Sequence, residues 1–224
     1  ASKIKEQTEK EFSKGIPPFG TDALRLTFTA LASFGRDIKF DLKRVEGYRN
    51  FCNKLWNASR FVLMKLESRS INFDATLSTP DNWILSRLQH TKIAVEKHLS
   101  DYRLDLMSQT LYEFVWHDYC DWYLELSKPL LDNNETRPGC EATLIKVLSE
   151  TLTLLHPIIP FITEEIFEQC SGLNNDKSER LITKPYPEID ETLISKKSES
   201  EIAWLQEFIL GIRQIRGEMN IASG

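Results

Sequence analysis

The chain has 224 residues, of which 41% are hydrophobic and 27% are charged, and its formal net charge at pH 7 is −5. These values are typical of a globular protein with a sizeable core, and the negative charge excludes a global field that attracts nucleic acid. The four cysteines lie far apart, so the sequence predicts reduced thiols and neither a disulfide framework nor a zinc site. The most apolar run, residues 152–162, is much shorter than the roughly 20 residues of a membrane span. We therefore expect a cytoplasmic protein without a membrane partner.

Charge is distributed unevenly along the chain. Residues 36–65 contain eight Lys or Arg against three Asp or Glu, whereas residues 132–201 contain seven basic residues against fourteen acidic ones. A basic strip on an acidic protein is compatible with local contacts to phosphate groups. The alternative is an ordinary solvated helix face, and the charge pattern alone leaves both interpretations open.

The first forty residues predict a small mixed α/β unit. Residues 1–14 are charged and weakly amphipathic, and Thr21 is the expected N-cap of a short buried helix over 22–33. Residues 37–40 alternate in polarity as a short strand does. The first long helix follows, over residues 41–67.

Four further helices are predicted from the helical spacing of apolar residues, over 80–99, 101–129, 140–170 and 191–219. The helix over 101–129 is apolar on almost every side, which is typical of a central helix in a bundle, and we expect it to end before Pro129. A loop around Pro138 and Gly139 should precede the next helix, and Pro157 and Pro160 should break or kink that helix. We expect an all-α helical bundle with a small α/β lead-in.

Phe61 occupies an unusual position on the first long helix. At about 100° per residue it lies on the polar face, in line with Lys43, Asn50 and Lys54. A large aromatic side chain there either packs on a neighbouring element or is available to a ligand. The predicted buried stripe on the opposite side consists of Val45, Tyr48, Cys52, Leu55, Ser59, Leu63 and Leu66.

The residues supply no catalytic constellation. His117, Cys120 and Asp121 lie close together in sequence, but helical geometry sends near neighbours in different directions, and zinc needs three or four converging ligands. His156 is expected to be a packing residue. No phosphate-binding loop, nucleophile elbow or dinucleotide-binding turn is present. From its residues alone the chain is interpreted as a binding module without catalytic or metal-binding residues.

Several segments together carry a resemblance to a known family. "GTDALRLTFTALASFGRDIKFD" at 20–41 resembles the stretch shortly after the Lys-Met-Ser-Lys-Ser loop of class I aminoacyl-tRNA synthetases. "YRNFCNKLWNASRF" at 48–61, "LYEFVWHDYCDWYLELSKP" at 111–129 and "HPIIPFITEEIF" at 156–167 are similar to the helical anticodon-binding domain of that class. Within the class, the first two of these three resemble the valine-specific enzymes.

The resemblance implies that residues 1–40 are the tail of the catalytic region and that residues 41–224 form most of the anticodon-binding domain. The parent enzyme would attach valine to tRNA with ATP and magnesium. The two catalytic motifs of the class and the editing insertion are missing, so we expect an excised piece that binds no cofactor and is inactive alone. Apolar residues such as Leu24, Leu26 and Phe28 should then be exposed.

The expected partners are the anticodon stem-loop of tRNA(Val) and the remainder of the synthetase chain. The resemblance implies that Phe61 stacks on an anticodon base and that Lys43 is a basic anticodon contact. Helical geometry adds further candidates on the same face or its flank, where a phosphate contact and a pairing with a carboxylate remain alternatives for the arginines. The predicted tRNA-binding residues are Lys43, Arg49, Asn50, Lys54, Arg60 and Phe61. Alternatives are an isoleucine- or leucine-type synthetase, or a helical protein-interaction module without an RNA role.

Overall fold

The computed structural model describes residues 2–13, 15, 17–33, 40–66, 71–171 and 179–221. Every regular element in these ranges is helical, which confirms the predicted all-α class. The predicted strand over 37–40 lies outside the described residues except for Phe40, which belongs to no strand.

Nine α-helices are present in the described ranges, and they confirm the predicted long helices to within a few residues except at the starts and ends discussed below. Short 3₁₀ turns at Leu181–Thr183 and Glu191–Leu193 precede the last helix. The predicted start of that helix at residue 191 is wrong, because the side chain of Ser195 caps a helix that begins at Lys196. The helices are α1 Ser2–Glu11, α2 Thr21–Leu31, α3 Leu42–Leu66, α4 Thr79–Ser100, α5 Leu104–Glu113, α6 Leu124–Asp132, α7 Arg137–Leu155, α8 Pro160–Ser171 and α9 Lys196–Glu218.

The central helix is formed by α5, a π-helical segment at Phe114–Tyr123 and α6, which follow one another without a break. It begins at residue 104 and not at 101, because Tyr102 turns the chain with a φ of 55°. The predicted end before Pro129 is wrong. Pro129 removes one hydrogen bond from α6, but the final turn continues because it carries the buried Leu131 into the core.

The predicted loop at Pro138 and Gly139 is also wrong, since both residues lie in the first turn of α7. A proline there is compatible with a helix because the first turn has no partners for its backbone donors. Gly139 permits a close approach, since a Cβ atom at this position would lie 2.3 Å from the carbonyl oxygen of Thr76. The predicted break after α7 is confirmed, and Pro160 begins α8.

Helix α2 is hydrogen-bonded to the residues between α7 and α8 and to the first turn of α8. The Asp22 carboxylate accepts a hydrogen bond of 2.7 Å from the backbone N–H of Ile162, in the first turn of α8, where amides lack helical partners. The Arg25 side chain donates to the carbonyl oxygens of Ile158 at 2.8 Å and Pro157 at 3.0 Å. The lead-in is thus joined to the bundle by polar contacts.

Two expectations for α2 need correction. Gly20 occupies the N-cap position and Thr21 is the first helical residue, so Thr21 is not the N-cap. Leu24 and Phe28 are exposed as expected, but Leu26 is buried, because it points into the core shared by α3 to α8.

Candidate nucleic-acid interface

Helix α3 presents one face to the core and one to the surface, and the buried face is broader than its sequence pattern predicts. Phe51, Ala58 and Val62 are buried although they lie outside the predicted stripe, whereas Tyr48 and Leu63 are only half-buried. The buried arc is therefore turned towards the side that carries Phe61. The buried residues of α3 are Val45, Phe51, Cys52, Leu55, Ala58, Ser59, Val62 and Leu66.

Phe61 is half-buried at the edge of this arc. It packs against the core and also lines an open groove of about 230 Å³ between α3 and the central helix. The other wall comes from the π segment and α6. The groove is lined by Lys54, Asn57, Ala58, Phe61, Cys120, Leu124, Glu125 and Lys128. Phe61 thus contacts a neighbouring element and still borders a space that a ligand can enter.

Lys54 lines the same groove but is not a free cation. Its Nζ atom lies 2.6 Å from Oδ1 of Asp121 and 3.9 Å from the centre of the Trp116 ring. The side chain is 24% exposed. The central helix therefore already satisfies part of the charge and hydrogen-bonding capacity of Lys54.

The other predicted contacts lie on the open surface of α3, outside the groove. Lys43, Arg49, Asn50 and Arg60 are exposed. Within the described ranges, no ion pair involves Lys43 or either arginine, so their charges are available to an external anion. The structure brings Lys54 and Phe61 together, and it leaves the remaining four predicted residues on the adjoining surface.

Two lysines missed by sequence reasoning also border Phe61. The Nζ atom of Lys65 lies 5.9 Å from the centre of the Phe61 ring, and Lys128 lines the groove from the opposite wall. Lys128 is paired with Glu125 at 2.7 Å. Helical spacing on α3 could have found Lys65, but no local signal indicates that α6 faces Phe61.

The groove holds no reactive thiol. Burial is the main cause that raises the pKa of Cys120 to about 12, so its thiol stays protonated at neutral pH. His117, which was considered as a metal ligand, is exposed and lies 3.4 Å from Asp121. In the part of the chain that the structure describes, no group of three or more His, Cys, Asp or Glu side chains is arranged to hold a metal ion. The described helices also include none that is long and apolar enough to cross a membrane.

Comparison with known sequences places this helical surface in a wider group. A family model described as the anticodon-binding domain of tRNA ligase matches residues 81–224. Valine–tRNA ligases of Psychrobacter arcticus, Legionella pneumophila (strain Paris) and Acinetobacter baylyi are 48%, 49% and 46% identical, over 100%, 98% and 100% of this chain. The matches cover 24%, 25% and 24% of those relatives, so the chain spans about a quarter of their length.

A solved structure supports the same fold. The LeuRS of Agrobacterium radiobacter K84, determined as a ternary complex with tRNA and LeuAMS, superposes with a TM-score of 0.58 at 18% identity. The match covers 79% of this chain and 20% of the LeuRS chain. The helical architecture, the family model and the relatives at nearly half identity agree, and the chain belongs to the family of anticodon-binding domains of tRNA ligases.

Proposed function

We propose that this chain binds the anticodon stem-loop of tRNA(Val) as part of a valine–tRNA ligase. The whole enzyme would attach valine to tRNA in the cytoplasm with ATP and magnesium. These 224 residues would bind RNA and carry out no chemistry alone. Support comes from the relatives, which are valine–tRNA ligases that match 98–100% of this chain. Further support comes from the fold neighbour, which was solved with tRNA. The identity to valine enzymes favours valine over the isoleucine and leucine alternatives.

The observation that carries the proposal is the position of Phe61 at the edge of an open groove, on a helix whose exposed face carries cations without an ion pair among the described residues. Single-stranded RNA loops are bound by stacking unstacked bases on aromatic rings. The half-buried Phe61 side chain packs against the core and also lines the groove, so part of it is accessible to a base. Stacking of one base is worth about 1–3 kcal/mol, which corresponds to roughly tenfold or more in affinity.

The exposed cations of α3 supply the electrostatic part of the interaction. Lys43, Arg49 and Arg60 have no ion-pair partner among the described residues, so no internal pair has to break before a phosphate binds. Asn50 lies on the same surface and can donate to or accept from a base edge. Phosphate contacts release counterions, and each one steepens the salt dependence of binding to single-stranded RNA by about 0.7 in the logarithmic slope.

The first test is a titration of the chain with a stem-loop that carries the valine anticodon GAC, at two salt concentrations. We expect binding that weakens as salt rises, and an approximately tenfold loss for Phe61→Ala. Phe208→Ala is the matched control, because Phe208 is an exposed aromatic residue on α9 that does not line the groove. An equal loss for both variants, or no loss for Phe61→Ala with the fold intact, would contradict a stacking role.

Specificity for valine is tested with the same stem carrying the isoleucine anticodon GAU, which differs from GAC in one base. We expect tighter binding of the GAC stem-loop. Equal binding of the two would argue against the valine assignment while leaving RNA binding itself intact.

A second candidate function, a helical protein-interaction module, is favoured by an exposed apolar stripe on α9. Its members lie three to four residues apart, and two of them stack with ring centres 5.6 Å apart. A partner bound there would show an affinity that depends little on salt, in contrast to RNA. The stripe consists of Trp204, Phe208, Ile212, Ile215 and Met219.

A further inference from the structure

Lys54 differs from the other cations of α3 because the central helix holds its ammonium group in place. Asp121 accepts a hydrogen bond of 2.6 Å from Nζ, and the Trp116 ring lies beneath the same atom at 3.9 Å. Trp116 is itself the end of an aromatic column, since it stacks on Tyr112 at 5.4 Å and Tyr112 stacks on Phe51 at 5.1 Å. The ammonium group therefore rests on a rigid platform built from both helices.

The π-helical segment makes this arrangement possible. In an α-helix, residues five apart point about 140° away from each other, so Trp116 and Asp121 could not both face Lys54 closely. The hydrogen bonds of a π-helix join residue i to residue i+5, which brings residues five apart towards the same side. Both side chains lie within the π segment at Phe114–Tyr123 and reach the same ammonium group.

This environment makes Lys54 a poor phosphate ligand. Its positive charge is balanced by Asp121 at contact distance, and the Asp121 carboxylate, 42% exposed, would repel an incoming phosphate. Lys54 still has hydrogen-bonding capacity, because an ammonium group has three donors and Asp121 uses one. Lys54 lines the groove beside Phe61, where a base stacked on that ring would present its edge.

We propose that Lys54 reads the acceptor edge of the base that stacks on Phe61, and that Asp121 is a positioning residue that orients Lys54 and suppresses its attraction for phosphate. The inference rests on the proposed RNA-binding function. It assigns base discrimination to Lys54 and leaves the electrostatic contribution to exposed cations such as Arg49 and Arg60. Trp116 would fix the height of the ammonium group in the groove.

The test measures affinity across a salt series for a panel of stem-loops in which each anticodon base of GAC is replaced in turn. Lys54→Met keeps the aliphatic contact with Trp116 and removes the donors. We expect it to lower discrimination by about tenfold at one anticodon position, with the logarithmic salt slope unchanged. That position should be the one at which Phe61→Ala is most damaging.

Asp121→Asn is the complementary variant, because it removes the balancing charge with little change in shape. We expect a salt slope steeper by about 0.7, together with loss of discrimination at the same anticodon position. A purely structural role of Asp121 would lower affinity for every stem-loop alike and leave the slope unchanged. The matched control is Arg60→Ala, which should weaken all stem-loops similarly and reduce the slope by about 0.7.

Three results would overturn the inference. A slope reduced by about 0.7 in Lys54→Met, with discrimination unchanged, would identify Lys54 as a phosphate contact. If Phe61→Ala abolishes binding and Lys54→Met does not change it, the proposed RNA-binding function stands and only the role of Lys54 is refuted. Failure of the wild-type chain to bind any stem-loop would refute the proposed function and this inference with it. Far-ultraviolet circular dichroism and the unfolding midpoint of each variant establish that the fold is intact.

Discussion

Among the residues that the structure describes, two lysines form ion pairs with a carboxylate on another helix, and their surroundings differ. Lys92 of α4 is 4% exposed, pairs with Glu150 of α7 and donates to the carbonyl oxygen of Glu188 at 2.9 Å. Lys54 of α3 is 24% exposed and faces a groove. The buried lysine has its donors directed at the protein, whereas the lysine at the groove keeps donors for a ligand. The degree of burial therefore determines whether the lysine of a lysine–carboxylate pair has its donors inside the protein or keeps some of them accessible to a ligand.

The first turn of α4, the helix that carries Lys92, also contains a carboxylate whose hydrogen bonds are made inside the protein. The buried Asp81 carboxylate, in the first turn of α4, accepts hydrogen bonds from the hydroxyl of Tyr123 at 2.6 Å and from the backbone N–H of Ser78 at 2.9 Å. Burial raises the pKa of Tyr123 well above its ordinary value, so the hydroxyl keeps its proton and donates it to Asp81. On the exposed face of α3, by contrast, Lys43, Arg49 and Arg60 form no ion pair with any residue that the structure describes.

The largest expected effect comes from breaking the buried pair. Lys92→Ala leaves Glu150 without its counter-charge, and we expect the free energy of unfolding to fall by about 3 kcal/mol. Lys54→Ala is the matched control and should cost less than about 1 kcal/mol, because its pair lies at the surface. Urea unfolding followed by circular dichroism measures both values. Similar losses in the two variants would remove the distinction between the pairs.

An intermediate effect is expected from a methyl group added where the interior is tight. In Gly139→Ala the new Cβ atom would clash with the Thr76 carbonyl oxygen, so we expect a loss of about 2 kcal/mol in the free energy of unfolding. Gly211→Ala on α9 meets no atom within 4 Å and should instead gain about 0.5–1 kcal/mol from helix propensity. The test is whether the two variants change the free energy of unfolding, measured by urea denaturation, in opposite directions. A gain in stability at both positions would show that the contact between Gly139 and Thr76 can relax.

The smallest of these effects concerns one buried hydroxyl group. Tyr123→Phe removes a donor from the Asp81 carboxylate and should lower the free energy of unfolding by about 1 kcal/mol. Tyr112→Phe is the control, because the Tyr112 hydroxyl makes no hydrogen bond within the described part of the chain. Thermal or urea unfolding compares the two, and an equal change would mean that the Asp81 contact contributes little to stability.

Prediction from sequence succeeded where a local pattern carries the information. Apolar residues at helical spacing indicated the span of α3, and Pro157 and Pro160 indicated the break between α7 and α8. It failed at Pro129, where α6 continues through a proline, and at Pro138 and Gly139, which lie in the first turn of α7 and not in a loop. At Pro129 the burial of Leu131 compensates the lost hydrogen bond, whereas the first turn of α7 has no hydrogen bond for Pro138 to break.

For the candidate site, too, prediction from sequence succeeded for local features and failed for contacts between helices. Phe61 and the cations of α3 stand out from periodicity and charge alone, because both are properties of one helix. The partner of Lys54 does not, since Asp121 lies 67 residues away and reaches it through a π-helical register that no local pattern indicated. The sequence by itself determined the helices and the chemistry of their exposed faces. Only the tertiary structure decided which charges are paired and which face a groove, because pairing depends on how separate helices pack.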